Sequence, residues 1–507
     1  MKRKVSQYET FTILLTFLMI ALKTGAQEEE KFYRELYRPQ IHFSPKEKWM
    51  NDPNGMVYYK GVYHLFFQYY PGATVWGPMY WGHAISKDLV HWVQLPVALS
   101  PDSLGYIFSG SVVADTTNSS GFGSAANPPL VAIYTNHDVV GERAKKNNFQ
   151  NQSIAYSTDG GMTWAKYEHN PVIANPGITD FRDPKVSWYA PGKKWIMTLA
   201  TKDRVTFYSS GNLKTWSKES EFGAMNGSHA GVWECPDLLQ MEYMGKQVWV
   251  LLVSINPGAP NGGSGTQYFT GDFDGHHFLL SDTVTKWLDH GMDNYAGVTW
   301  SNTGTRKIFL GWMSNWGYAQ SIPTTRWRGT NTLPRELGVV RIDSVCYLKS
   351  EPVRELQLLV TGKAVKKNIK SSIYSYKINK NSPFRMDFKS SKAASFKIVF
   401  SNSKGDKAIV GYDMTENSFY IDRTNSGTCQ FSKDFPGRHK AKRLATSSQI
   451  GVTVYADASS IELFADNGLS VFTDLVFPSA PYTDIAVFSK GGVVNCFAIT
   501  RMRSIWE

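Results

Sequence analysis

The stretch SKDLVHW, residues 86–92, places a hydroxyl side chain before a turn and closes the turn with an aromatic residue. The same order returns as STDGGMTW at 157–164, as SGNLKTW at 210–216 and, in a weaker form, as GDFDGHHF at 271–278. The closing aromatic residues are about 50 to 70 residues apart, which is enough chain for one four-stranded sheet and its loops. Asp or Asn in such a turn bonds to its own backbone, and the aromatic residue can pack between neighbouring sheets. The repeat therefore favours a β-propeller over a β-sandwich for this part of the chain.

Strand-like segments continue on both sides of these turns, as in PLVAIYTNH at 129–137, and no long helical period competes with them. The 507 residues include 26 Tyr, 28 Phe, 16 Trp, 42 Gly and 23 Pro, a composition that suits short strands and tight turns. After TLPRELGVVRI, which ends at residue 342, most Trp residues disappear while alternating strands continue. We therefore predict an all-β protein, with a propeller over residues 38–340 and a β-sandwich over residues 352–507.

The N-terminus has the layout of a cleaved secretory signal. An apolar run, FTILLTFLMIAL at 11–22, follows the basic residues 2–4 and precedes the small residues 24–26. Twelve apolar residues are too few to cross a bilayer, so a signal peptide over residues 1–26 is favoured over a short membrane anchor. No later stretch has the length of a membrane-spanning helix, and an exported protein is expected.

Charge and cysteine content exclude several other classes. The net charge is +11, and basic residues cluster late in the chain, for example at 438–443. No nucleic-acid-binding motif accompanies them, so they are interpreted as a solvated surface rather than a nucleic-acid site. The four cysteines are widely spaced and form no zinc pattern, and an exported location permits a disulfide without implying one.

A first candidate carboxylate is Asp52 in WMNDPNG, residues 49–55. Pro53 presets φ and the pair Asn54-Gly55 tolerates positive φ, so the motif predicts a turn. Taken alone, a purely structural turn is the favoured interpretation.

Two further carboxylates stand in similar short motifs. Asp183 lies in FRDP, residues 181–184, where Arg182 could form a simple salt bridge with it and keep it ionised. Glu234 lies between Trp and Cys in WECPD, residues 233–237, where partial burial would favour its protonated form. Hydrolysis of a glycosidic bond by the retaining route needs this division between an ionised nucleophile and a protonated acid. The three motifs therefore favour a carbohydrate-active hydrolase.

These motifs occur together with FFQYYPG at 66–72, IFSGS at 107–111 and NWGYAQSIPTTRWRGTNTLPREL at 315–337. In this order they closely resemble glycoside hydrolase family 32, the β-fructosidases that include invertases, levanases, inulinases and fructan exohydrolases. The resemblance covers nearly the whole mature chain. It implies a five-bladed propeller followed by a β-sandwich, and hydrolysis with retention of configuration.

The resemblance also implies roles for individual residues. Asp52 would be the nucleophile on the anomeric carbon of a terminal fructosyl unit, and Glu234 the acid and then the base. Asp183 would bind ring hydroxyls and stabilise the transition state. No metal ion or organic cofactor is implied. The substrate-binding residues carried over are Trp49, Asn51, Gln68, Trp76, Phe108, Ser109, Arg182 and Trp316.

The expected substrate is a fructan of the levan or inulin type, with sucrose as a side substrate. The stretch VSINPGAPNGGSGTQYF at 253–269 looks like microbial levanases and exo-inulinases, and lacks the Asp-x-x-Lys-type stretch of plant invertases. Three alternatives remain at this stage: an endo-acting levanase, a dedicated invertase and, in a different class, a fructan-binding propeller without catalysis. The last alternative predicts loss of a carboxylate, whereas all three are present.

Overall fold

A computed structural model describes residues 32–369, 372–378, 382–490 and 494–507. The predicted signal peptide lies outside these residues. Strands dominate the described part, where the one α-helix is α1 (Val139–Arg143) and short 3-10 helices occupy Ala319–Ser321 and Arg354–Leu359. No helix among the described residues is both long and apolar enough to cross a membrane.

Five antiparallel sheets follow one another between residues 48 and 352. The first contains β1 (Lys48–Tyr59), β2 (Val62–Tyr70), β3 (Tyr80–Ser86) and β4 (Val93–Leu99). The second contains β5 (Tyr106–Ala114), β6 (Leu130–His137), β7 (Gln150–Ser157) and β8 (Ala165–Lys166). The third contains β9 (Phe181–Tyr189), β10 (Lys194–Thr201), β11 (Arg204–Ser210) and β12 (Ser217–Phe222). The fourth contains β13 (Val232–Tyr243), β14 (Lys246–Asn256), β15 (Gly265–Phe273), β16 (Phe278–Leu280) and β17 (Lys286–Trp287). The fifth contains β18 (Tyr295–Thr299), β19 (Ile308–Trp312), β21 (Arg335–Ile342) and β22 (Val345–Pro352).

The first strands of the five sheets form a closed ring. Contacts join β1 to β5, β5 to β9, β9 to β13, β13 to β18 and β18 back to β1. A short strand, β20 (Trp327–Arg328), pairs in parallel with the start of β1 and adds a fifth strand to the first sheet. This arrangement is a β-propeller, as the repeated turns predicted.

The repeated turns join the third and fourth strands of their sheets, as expected from their sequence. In the first turn, Asp88 accepts hydrogen bonds from the backbone N–H groups of Val90 and His91. The indole N–H of Trp92 donates to the carbonyl of Leu89 at 3.0 Å. Asp159 and Trp164, and Asn212 and Trp216, make the equivalent bonds in the next two sheets, and Asp274 begins the weaker fourth copy.

The closing aromatic residues bind neighbouring sheets together. Trp92 stacks on Trp300, which follows the first strand of the fifth sheet, with 6.1 Å between ring centroids. Trp164 meets Phe66 of the first sheet at 5.5 Å. Each turn motif therefore both ends a hairpin and contributes to the core between two sheets.

Residues after Pro352 form a β-sandwich of two six-stranded sheets, as predicted. One sheet contains β23 (Val360–Ile369), β34 (Val494–Met502), β25 (Phe384–Ser390), β30 (Ile450–Ala456), β31 (Ser460–Ala465) and β32 (Ser470–Leu475). The other contains β24 (Ile373–Lys377), β33 (Asp484–Ser489), β26 (Phe396–Ser401), β27 (Lys407–Asp413), β28 (Ser418–Asn425) and β29 (Arg438–Lys442). Buried aromatic and aliphatic side chains, such as Phe388 and Ile398, fill the space between the sheets.

Buried ion pairs connect the propeller to the sandwich. Arg335 of β21 lies 2.8 Å from Asp289 and 2.6 Å from Glu462 of the sandwich. His42, before the first propeller strand, lies between Asp457 at 2.7 Å and Glu462 at 2.9 Å. These side chains are almost completely buried, so the two units meet through paired charges as well as apolar contacts.

Candidate active site

A cavity of about 450 Å³ lies at the end of the ring where the innermost strands begin. Asp52, Asp183 and Glu234 all line it, although they come from three different sheets. Ten of the eleven residues proposed from the sequence therefore meet here. They are Asn51, Asp52, Gln68, Trp76, Phe108, Ser109, Arg182, Asp183, Glu234 and Trp316.

Trp49 is the eleventh, and it lies below the cavity rather than in its wall. Its side chain is fully buried, and its ring stacks on Trp316 with 6.0 Å between centroids. Its indole N–H donates to Asn51 Oδ1 at 2.7 Å, and Asn51 in turn donates to Asp52 Oδ1 at 3.0 Å. Trp49 therefore orients the cavity residues from underneath.

The turn predicted at Asn51–Gly55 is wrong, because this segment lies inside strand β1. Between Met50 and Pro53 the pairing with β2 shifts, so that two residues of β1, Asn51 and Asp52, face one residue of β2. This is a β-bulge, which bends the strand and redirects side chains. The Pro and Asn-Gly residues that indicated a turn instead accommodate this irregular strand.

The other innermost strands have pairing shifts at the same level. The shifts fall between Ile107 and Gly110 in β5, between Arg182 and Lys185 in β9, and between Glu234 and Asp237 in β13. Strand β18 has one between Tyr295 and Val298. A ring of bulges therefore surrounds the cavity and turns polar side chains into it.

Asp52 accepts hydrogen bonds through both carboxylate oxygens. Besides the bond from Asn51, Ser109 Oγ donates to Asp52 Oδ2 at 3.0 Å. The Cys235 thiol lies 3.8 Å from the same oxygen and 3.6 Å from Asp183 Oδ2. The backbone N–H of Cys235 also donates to Asp183 Oδ2 at 3.0 Å, so Cys235 links the two carboxylates.

The salt bridge that Arg182 and Asp183 could form is absent among the described residues. The Arg182 guanidinium pairs with Glu234 Oε1 at 2.9 Å and with Asp180. Asp183 has a left-handed backbone, with φ of 65°, within the bulge, and its carboxylate bonds to Cys235 instead. The second Glu234 oxygen accepts a hydrogen bond from the Tyr295 hydroxyl.

Burial, together with the nearby Asp183 and Glu234 carboxylates, raises the pKa of Asp52 to about 7 against the hydrogen bonds from Asn51 and Ser109. Burial and Glu234 also raise the pKa of Asp183, against the attraction of Arg182. The predicted effect of Arg182 on the Asp183 carboxylate is therefore present, but burial and Glu234 outweigh it. Burial raises the pKa of the Cys235 thiol, so the thiol remains protonated and can donate.

Several cavity residues were not identified from the sequence. His137 stacks on Phe108 with 4.2 Å between centroids, and its Nε2 lies 3.1 Å from Glu142 of α1. Gln150 lies 3.3 Å from His137 Nδ1 and accepts a bond from the backbone N–H of Phe181 at 2.9 Å. The polar run Thr-Asn-His-Asp, which follows the apolar start of β6, is the sequence feature that could have indicated polar cavity residues here. The other unidentified lining residues are Phe149, Asp180, Val232, Asn256 and Gln320.

The side chains in this cavity suit acid, base and nucleophilic chemistry and the binding of a hydroxyl-rich ligand. The Gln68 amide nitrogen is buried beside Asp52 without a hydrogen-bond partner among the described residues, so it is available to a ligand. No set of three His, Cys, Asp or Glu side chains in the described ranges is arranged to hold a metal ion.

Comparison with known proteins identifies related chains over almost the full length. The levanase of Bacillus subtilis is 43% identical over 525 aligned positions, covering 100% of this chain and 76% of the levanase. The extracellular exo-inulinase of Aspergillus awamori is 37% identical, covering 94% of this chain and 96% of the inulinase.

Solved structures agree with the sequence comparison. The crystal structure of exo-inulinase from Aspergillus awamori has a TM-score of 0.86 at 35% identity, covering 94% of this chain and all of that one. The structure of fructofuranosidase from Schwanniomyces occidentalis complexed with fructose has a TM-score of 0.85 at 33% identity. The match covers 93% of this chain and 99% of that one.

Family-wide sequence profiles match both parts of the fold. The profile described as "Glycosyl hydrolases family 32 N-terminal domain" matches residues 42–352, and the corresponding C-terminal profile matches residues 354–506. The fold, a propeller with three converging carboxylates followed by a sandwich, agrees with the similarity found along nearly the whole chain. This protein is therefore a glycosidase of glycosyl hydrolase family 32.

Proposed function

We propose that this enzyme releases terminal β-D-fructofuranosyl units from fructans of the levan or inulin type with retention of configuration. The observation that carries the proposal is the convergence of Asp52, Asp183 and Glu234 on one cavity, with Cys235 bonded between the two aspartates. The relatives named levanase and exo-inulinase support the choice of substrate.

Asp52 is assigned as the nucleophile. Its carboxylate attacks the anomeric C2 of the terminal fructosyl unit, the bond from C2 to the leaving oxygen breaks, and a fructosyl ester forms on Asp52. Asn51 and Ser109 hold the two Asp52 oxygens, which fixes the direction of attack. The pairing shift in β1 next to Asp52 and the position of Asp52 in the cavity wall support this assignment.

Glu234 is assigned as the acid and then the base. It gives its proton to the leaving oxygen, and afterwards takes a proton from the water that attacks the ester, which restores both carboxyl groups. Arg182 and Tyr295 bind separate Glu234 oxygens and hold the carboxyl group in one orientation. Burial and the repulsion between neighbouring carboxylates raise the pKa of Asp52 and that of Asp183.

Asp183 is assigned to substrate binding and to stabilisation of the transition state. Its negative charge lies in the same cavity as Asp52, where positive charge develops on the sugar ring during the reaction. Two of its hydrogen-bond donors come from Cys235, which leaves the other carboxylate oxygen for ring hydroxyls.

The remaining predicted residues are assigned to the shape of the sugar-binding subsite. Trp76, Phe108 and Trp316 present aromatic surface for the C–H groups of the sugar, and Gln68 presents an unpaired amide nitrogen. Trp49 positions Asn51 from below. The active-site cavity is confined to one end of the ring of strands, which favours a chain end as substrate, and sucrose presents the same terminal unit.

A time course of products from levan, inulin and sucrose tests this function. We expect free fructose as the sole early product of both fructans, and slower release from sucrose. A ladder of oligosaccharides would contradict action at the chain end. Fructan binding without any release of reducing sugar would contradict the hydrolase assignment.

We also propose that residues 1–26 direct secretion, since relatives are named extracellular. Residues 38–340 would belong to the catalytic unit and residues 352–507 to the second unit. Strand β22 (Val345–Pro352) completes the fifth sheet, so the catalytic unit is proposed to extend to Pro352.

A further inference from the structure

A second cavity of about 450 Å³ lies at the opposite end of the propeller ring. Lys185, Asp237 and Thr299 separate it from the active site. The Lys185 ammonium donates to the Thr299 carbonyl and lies 3.3 Å from Asp237, which accepts bonds from the Thr299 N–H and hydroxyl. Because these groups fill the centre of the ring, the second cavity is a separate site.

The wall of this cavity contains an exposed tryptophan. Trp188 is 43% exposed, and its ring packs edge-on against Trp195 with 5.0 Å between centroids. Trp195 is buried, and its indole N–H donates to Ser119 Oγ at 2.9 Å. Trp249 lies in the same wall. A fixed indole with a free face is a surface on which the C–H groups of a sugar ring can lie.

The cavity also contains an ammonium group that lacks a partner. Lys307 lines it, and among the described residues no hydrogen bond or ion pair joins its side chain to another group. Burial and the neighbouring Lys185 lower the pKa of Lys307, although Asp237 opposes them. Lys307 is half-buried, and its ammonium can donate hydrogen bonds to a ligand with oxygen acceptors in this cavity.

The charges at this site favour a neutral ligand over a polyvalent anion. Asp237 neutralises Lys185, so Lys307 is the one cation of the described cavity lining without a matching carboxylate. Exposed polar residues, Thr116, Gln240 and Asn302, lie at the rim and can bond hydroxyl groups. An aromatic face, one donor ammonium and a polar rim together match a sugar more closely than a phosphate.

We propose that this cavity is a second carbohydrate-binding site, in which Trp188 supports a sugar ring and Lys307 donates hydrogen bonds to its hydroxyls. The identity of the sugar as a fructosyl chain segment rests on the function proposed above. Trp188 follows Asp183 by five residues along β9, so the two sites are about 16 Å apart through the ring. A polymer held here would raise the local concentration of chain ends at the active site.

Affinity electrophoresis of the full-length Asp52→Ala protein, in gels that contain levan, inulin or dextran, tests this binding. Both the active site and the second site can contribute to retardation, so the second site is measured as the difference between proteins that do and do not carry a change in it. We expect retardation by a fructan but not by dextran. Trp188→Ala and Lys307→Met, each added to Asp52→Ala, should each weaken retardation by about threefold or more. Met244→Ala is the matched control, because Met244 is 85% exposed on another hairpin and should change nothing.

Kinetics of the otherwise wild-type variants supply a second measurement. Trp188→Ala should raise KM for polymeric fructan about three- to tenfold and leave kcat/KM for sucrose within about twofold. Trp188→Phe should recover most of the lost polymer affinity. If Trp188→Ala does not fold, Lys307→Met decides the result.

Several outcomes would overturn the second site. Retardation that is unchanged in both Trp188→Ala and Lys307→Met would exclude it. Protection of the Trp188 fluorescence against a soluble quencher by inorganic phosphate, but not by fructan, would also exclude it. A wild-type enzyme that releases no fructose would contradict the proposed function instead, while retardation dependent on Trp188 would still support carbohydrate binding here.

Discussion

Asp52 is held where its ionised form is unfavourable, yet its proposed role requires that form. Asn51 and Ser109 stabilise the carboxylate, while burial and two neighbouring carboxylates act against it. Cys235 contributes a neutral thiol between Asp52 and Asp183, which moderates their repulsion without adding charge.

Replacing Asp52 with alanine should reduce kcat on inulin by about 10³-fold or more, because no fructosyl ester can form. Rapid quenching and mass spectrometry of the wild-type enzyme should find a fructosyl adduct on the peptide that contains Asp52. An unchanged Tm would show that the variant is folded. An adduct on another residue would contradict the assignment.

Replacing Asp52 with asparagine should stabilise the protein at neutral pH. The pKa rises on folding from 3.8 to about 7, so the carboxylate destabilises the folded state progressively above about pH 4 and fully above about pH 7. We expect the variant to gain up to about 4 kcal/mol at pH 8 and almost nothing at pH 4. Urea unfolding at both pH values measures this, and an equal effect at both would contradict the shifted pKa.

Residue partners were predictable from the sequence only where they are local. The motifs containing Asp52, Asp183 and Glu234 identified the carboxylates, but Arg182 pairs with Glu234 of another sheet rather than with its neighbour Asp183. Tyr295 reaches Glu234 from the fifth sheet in the same way. Such contacts depend on how the sheets are placed around the ring, and no short motif records them.

At the scale of the elements, the turns and the bulges differ in how far they could be predicted. The turn at Ser86–Trp92 forms through bonds within seven residues, so its sequence was sufficient. The bulge at Asn51–Asp52 exists only relative to the register of β2, which the local residues do not reveal. The same Pro and Gly residues therefore indicated a turn that the structure does not contain.

Gly55 supports the bulged part of β1, and substitution there should be damaging. Its φ is +57°, and an added Cβ would lie 2.7 Å from the Trp81 ring and 2.9 Å from Phe66. We expect Gly55→Ala to destabilise the fold by about 2–4 kcal/mol and to lower kcat, because the strand that carries Asp52 must shift.

Gly61 offers a matched control in the turn between β1 and β2. Its φ is +85°, but an added Cβ would meet no atom within 4 Å. Gly61→Ala should therefore lose only about 1 kcal/mol and keep full activity. Denaturant unfolding and kcat of both variants test the comparison, and equal losses would show that crowding at Gly55 is unimportant.

At the scale of the whole molecule, buried charges join the propeller to the sandwich. The change in composition after residue 342 predicted a second unit but could not indicate how it docks. Three of these contacts join residues more than a hundred positions apart: Arg335 with Glu462, and His42 with Asp457 and with Glu462. The fourth, between Arg335 and Asp289, lies within the propeller. Loss of one partner would leave a buried charge, which is strongly destabilising.

His42 should make this connection dependent on pH. Burial lowers its pKa, but Asp457 and Glu462 outweigh burial and raise it from 6.5 to about 9. The resulting stabilisation is fully present below about pH 6.5 and is lost as the pH rises through about 9. We expect His42→Gln to lose roughly 2–4 kcal/mol at pH 6 and much less at pH 9.5.

Urea unfolding of wild type and variant at the two pH values measures this difference. His169→Gln is the control, because the side chain of His169 is 71% exposed and lies only beside a neighbouring exposed carboxylate, at 3.6 Å, and the edge of the Tyr167 ring. A loss of stability at His42 that does not change with pH would show that its charge is not involved.

The pairing of β20 with β1 has a consequence for biosynthesis. Lys48 pairs with Trp327, and Trp49 with Arg328, so the innermost strand of the first sheet lacks its parallel partner until nearly two thirds of the chain has been synthesised. Contacts between such distant residues form slowly, because a long loop must close first. The nascent chain therefore holds an incomplete first sheet during most of its synthesis, and translation past Arg328 is the earliest point at which this sheet can be completed.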